Sequence, residues 1–203
     1  MDFEALDQQL VTFASKLAAD VGLRPEEIGR VASSVGGEVR DLDRDAQSEI
    51  RAASPVALRD RLQELQAFQG WMDFASTVRG QPAVTRAQVI VQNYICFVYL
   101  GEATFRALRK VAPTGSVLKR CCQFLTDNPV RAFRNALSHS NWTYRADFRG
   151  LVFWARKGSD PTEEMSRFEV DQQELNFWQS LSRAVAYAAY TSLDGTWTSG
   201  ASG

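Results

Sequence analysis

The chain has 203 residues, 45% of them hydrophobic and 23% charged, with a formal net charge of −1. That balance fits a globular protein with one sizeable core, and it excludes a disordered chain or a broadly basic nucleic-acid coat. Any contact with nucleic acid must be a local patch, and arginine is the better phosphate ligand for one. Met1-Asp2-Phe3-Glu4 has neither a basic segment nor an apolar signal core, so no leader is expected. The longest apolar run, Val89 to Leu100, is interrupted by Gln92 and Asn93 and is too short to span a bilayer. Cys96, Cys121 and Cys122 have no metal-type spacing and fit a reduced cytoplasm. With one histidine, His139, a structural zinc is not expected, nor is any other cofactor.

In chain order, Leu6, Leu10, Phe13 and Leu17 recur at helical spacing, so residues 3–20 read as an amphipathic helix ended at Gly22. Pro25 opens a second helix through Ile28, Val31 and Val35, with Gly36-Gly37 as its stop. Residues 38–53 carry Glu38, Arg40, Asp41, Asp43, Arg44, Asp45, Glu49 and Arg51, a charge run that reads as a short exposed helix in a connecting segment. Ser54-Pro55 opens the next helix, which continues through Leu58, Leu62, Leu65, Met72 and Ala75 to a stop at Gly80-Gln81-Pro82. A capping box at Thr85 and Gln88 starts a greasy central helix reaching about Lys110. Within it Gly101 permits a close neighbour, and Glu102 is expected to face water.

After Pro113-Thr114-Gly115 a short helix spans 116–126, with Leu118, Cys122 and Leu125 inward and the two adjacent cysteines as filler. Asp127 or Asn128 then caps a helix with Pro129 at its first position. The period changes to two at Trp142–Ala146 and Leu151–Ala155, a hairpin joined through Phe148-Arg149-Gly150. Ser166–Val170 is a third strand, after a loop at Gly158-Ser159-Asp160-Pro161. The sheet aromatics are expected to pack on the helices, although Arg145, Arg149 and Arg156 among them would suit bases and phosphates. Asp171 and Glu174 cap a last helix whose buried stripe is Leu175, Trp178, Leu181 and Val185. Residues 194–203 read as a loose tail. The class is mainly α, a helical bundle with a small antiparallel insertion before its last helix.

The stretch Val130–Trp142 separates two kinds of side chain. Arg131, Arg134, Asn135, Ser138 and His139 fall on one helical stripe, and Val130, Phe133, Ala136 and Leu137 on the other. Asn135 and His139 lie one turn apart, while Arg134 and His139 are about 140° apart around the axis and flank the stripe. Arginine offers a donor fork for phosphate oxygens, and histidine exchanges protons near neutral pH. Together they suggest a phosphodiester site, against the plainer alternative of a solvated helix face.

Arg134-Asn135-Ala136-Leu137-Ser138-His139 resembles the Arg-x4–6-His motif of HEPN domains, and the following Ser140–Tyr144 and hairpin are similar to bacterial HEPN families of defence loci and toxin–antitoxin pairs. The resemblance covers about residues 56–193, dividing the chain into an N-terminal helical extension (1–53), a HEPN-like core (54–193) and the tail. It implies a metal-independent endoribonuclease in the cytoplasm, acting as a homodimer whose motifs face one cleft, with an antitoxin or defence-system protein as a further partner and no membrane. In that reading His139 is the acid/base, Arg134 stabilises developing charge, and Asn135 orients His139 or a phosphate. Arg131 and Ser138 would bind RNA. HEPN toxins silenced by modification of a tyrosine carry it two residues after the histidine; here that position is Asn141 and Tyr144 lies further on, which speaks against that mode.

Two other classes are open: a non-catalytic HEPN module that binds RNA, nucleotide or protein, and a helical scaffold whose stripe is only a dimer seam. Serine and cysteine hydrolases are disfavoured for want of a nucleophile motif near the histidine. ATP hydrolysis is disfavoured because no Gly-x4-Gly-Lys-Ser/Thr loop occurs.

Overall fold

The computed structural model describes residues 3–54, 56–77, 82–147, 149–156, 160 and 162–195. The fold is mainly helical, with a small antiparallel sheet before the last helix. The helices are α1 (Phe3–Ala19), α2 (Pro25–Ile28), α3 (Val31–Arg40), α4 (Arg44–Ala52), α5 (Leu58–Thr77) and α6 (Pro82–Asn93), followed by α7 (Arg106–Val111), α8 (Val117–Thr126), α9 (Val130–Ser138) and α10 (Gln172–Asp194). Two π-helical segments, Tyr94–Tyr99 and Gly101–Phe105, join α6 to α7, so the central greasy stretch is one helical run with widened turns.

α1 ends as its glycine implies. Gly22 has φ +72, and the Leu23 amide returns to the Leu17 carbonyl at 3.0 Å. The helix opened by Pro25 is shorter than its spacing predicts. It stops at Ile28, and α3 runs straight through Gly36-Gly37. A glycine inside a helix costs about 1 kcal/mol. Burying Val31, Val35 and Val39 against the core offsets this at roughly 1.5–3 kcal/mol each. Leu17, Val35, Val39 and Ile50 belong to the same buried cluster as the later helices, so the N-terminal helices pack on the core.

α5 begins at Leu58, with the Ser54 hydroxyl accepting the Val56 amide ahead of it. α6 begins at Pro82, ahead of Thr85 rather than at it. The opening at Pro55, the stop at Gly80-Gln81 and the Thr85/Gln88 side chains lie outside the described residues. So do Phe148, the loop at Gly158-Ser159, Pro161, the Glu102 carboxylate and the tail beyond Gly195.

The sheet comprises β1 (Trp142–Tyr144), β2 (Gly150–Ala155) and β3 (Ser166–Asp171), antiparallel in the order β1-β2-β3. Gly150 faces Asp171 so closely that a Cβ there would lie 2.2 Å from the Val170 carbonyl oxygen, which is why β2 starts on glycine. The Asp171 carboxylate accepts the Glu174 amide at 2.7 Å and starts α10, with Leu175, Trp178, Leu181 and Val185 buried. α10 packs on α3, α5, α8 and the first π segment. α9 lies between that π segment and β2, with its last turn leading directly into β1.

Candidate functional site

α9 is anchored by one aromatic residue. Phe133 is fully buried, and its ring meets those of Phe97 at 5.4 Å, Phe153 at 5.1 Å and Trp178 at 5.8 Å. Such edge-to-face and tilted contacts fix helix rotation as well as burying area. Val130, Ala132 and Ala136 complete the inward face. The start of α9 differs from the sequence expectation: it begins at Val130 without a side-chain cap, after a cis Asn128–Pro129 peptide. Asp127 is drawn away, because its carboxylate pairs with Arg109 at 2.6 Å.

Phe133 fixes where the stripe points, and this corrects one expectation. Arg134 is only 6% exposed and is not on the solvent-facing surface with the other polar residues. Its position lies four residues after the buried Val130 and one after Phe133, at the edge of the inward face. Gly101 makes room: a Cβ there would sit 3.3 Å from Arg134 Cδ. The close neighbour that Gly101 permits is therefore this arginine. Arg134 Nη2 donates to Asn135 Oδ1 at 3.1 Å. Since the guanidinium can only donate, this contact assigns the Asn135 oxygen to Arg134 and leaves the Asn135 amide NH2 as a donor not used in that bond.

His139 is exposed and is the residue on which α9 ends. Its amide donates to the Asn135 carbonyl at 3.2 Å. The Ser140 amide then reaches Leu137 O at 3.2 Å, and the Asn141 amide reaches Ala136 O at 2.8 Å. That pair of returning bonds is a Schellman closure, and it requires a left-handed residue at Ser140, where φ is 57. The backbone beneath His139 is thus tied down while its imidazole faces outward. Ser140→Gly removes the left-handed penalty, so it should stabilise the protein by about 0.5–1 kcal/mol in chemical denaturation. A loss of stability would show that the closure is not formed.

Comparison with family models, with curated proteins and with solved structures finds no match for the chain. The site therefore rests on its own geometry. Arg131 and Asn135 are half-buried on the outward side of α9. Ser138 is exposed, but its hydroxyl donates to the Arg134 carbonyl at 3.1 Å, a bond within its own helix. Asn141, two residues past His139, accepts the Trp154 amide through its carbonyl at 2.9 Å, joining the helix end to the sheet.

The sheet arginines are largely committed elsewhere. Arg145 pairs with Asp147 at 3.2 Å, and Arg156 Nε donates to the Glu163 carbonyl at 2.7 Å. The sheet aromatics pack inward as expected: Phe153 stacks on Phe168 at 5.2 Å, and Trp142 and Tyr144 lie against the core. No helix among the described residues is long and apolar enough to cross a membrane.

Burial pushes the thiols of Cys96 and Cys121 up to about 12, and Cys122 is also raised by its surroundings. All three are buried, Cys121 included, so they are core residues and poor nucleophiles. The sequence reading missed two polar roles. Glu38 is not part of a solvated run; its carboxylate accepts the amides of Val117 at 3.0 Å and Leu118 at 2.7 Å and caps α8. Gln179 donates to Asn93 at 2.6 Å in the core, tying α10 to the end of α6. The only signal for the second was an amide-bearing residue inside a greasy helix.

Proposed function

We propose that the chain is a metal-independent endoribonuclease of HEPN type, working as a pair of protomers. The observation that carries this reading is the exposed His139 on a locked helix end, one turn above an Asn135 whose oxygen is held by Arg134. His139 takes the proton of a ribose 2′-OH, and that oxygen attacks the adjacent phosphorus. The bond to the 5′-oxygen breaks, and His139 of a second copy returns a proton to it. One histidine per chain makes two chains the economical way to fill both roles. The products are a 2′,3′-cyclic phosphate and a 5′-hydroxyl.

The burial of Arg134 changes its part. It is a positioning residue that holds the Asn135 oxygen, and the Asn135 amide NH2 and Arg131 are the groups that would meet phosphate oxygens. Resemblance to bacterial HEPN families supports a toxin or defence role, with an antitoxin or defence-system protein as a further partner. The same burial favours a second reading, a non-catalytic HEPN module binding RNA, nucleotide or protein. Parallel binding and cleavage assays on wild type and His139→Ala separate the two. Cleavage lost while binding persists supports the enzyme. Binding without cleavage by either protein supports the module.

A further inference from the structure

A second polar site lies away from α9, where the start of α5 meets the second π segment and α10. Arg61 is 7% exposed, and among the described residues no carboxylate comes within ion-pair distance of it. Its Nε and Nη2 donate to the Ser54 hydroxyl at 2.9 and 2.5 Å, and its guanidinium lies 4.3 Å from the centre of the Tyr99 ring. Among the described residues Nη1 is buried and has no hydrogen-bond partner. A buried cation with neither counter-charge nor a full set of acceptors is costly.

Arg61 lines a small cavity of about 10 Å³ together with Arg51, Ser54, Thr104 and Tyr190. Among the described residues the polar lining is two guanidiniums and three hydroxyls, with no carboxylate. Thr104 and Tyr190 share a hydrogen bond at its wall, and Arg51 Nη2 donates to the Leu193 carbonyl at 2.7 Å. The volume is that of one water-sized occupant, too small for phosphate or a nucleotide. That size admits one water or one monatomic ion, and the two guanidiniums favour an anion.

We propose that this cavity is a halide site, occupied by chloride, in which the anion neutralises Arg61 and ties the α4–α5 junction to α10. The inference does not depend on the α9 reading. Chloride binding only to the folded state raises the melting temperature by mass action. Raising chloride from 1 to 300 mM, with gluconate keeping the ionic strength fixed, should raise Tm by about 2–4 °C. Arg61→Gln should abolish that dependence. Wild-type crystals grown in bromide provide a readout free of folding defects, with an anomalous peak expected beside the Arg61 guanidinium. No chloride dependence in the wild type, an equal dependence in Arg61→Gln, or a site without bromide signal would each overturn the proposal and leave water as the occupant.

Discussion

His139→Ala should lower RNA cleavage by about 10²–10⁴-fold, the usual worth of a positioned acid–base group. The same substitution should leave folding stability within about 0.5 kcal/mol of wild type, because an exposed side chain at a helix end removes no packing. That split distinguishes a chemical role from a structural one. RNA affinity should also survive, since Asn135 and Arg131 are untouched. Cleavage rates measured on monodisperse protein, beside urea denaturation of the same samples, test it. A variant that retains full cleavage would remove the histidine from the mechanism.

Phe133→Ala should show a different pattern. The ring is enclosed by Phe97, Phe153 and Trp178, drawn from a π segment, a strand and the last helix. Deleting it leaves a cavity at the junction of all three, with an expected loss of about 3–5 kcal/mol. For a domain of this size that lowers Tm by roughly 6–20 °C. Activity should fall with stability, because Phe133 sets the rotation that turns Arg134 inward and Asn135 outward. A loss below about 1 kcal/mol in equilibrium unfolding would contradict the packing around α9.

Much of this fold is readable wherever local chemistry decides it. Asp171 caps α10, the period-two aromatics make β1 and β2, and Gly22 ends α1, each through contacts within a few residues. The inward face of α9 is readable for the same reason. Arg134 is not, because it stands at the boundary of two faces and its burial depends on Gly101 in another helix. Glu38 reads as part of a charge run because the amides it caps lie 79 and 80 residues further along the chain. Gly36-Gly37 reads as a stop because propensity is local, whereas the burial that carries α3 through it is tertiary. The spacing places these residues together on one helix, and only the packing shows which of their side chains face outward.

We propose that His139 serves a 2′-OH attack requiring no metal. It is tested most directly by incubating the wild-type protein with a single-stranded RNA in excess chelator and identifying the fragment ends. Continued cleavage with 2′,3′-cyclic phosphate and 5′-hydroxyl termini is the expected result. Fragments ending in 3′-hydroxyl and 5′-phosphate, or RNA left intact, would contradict it.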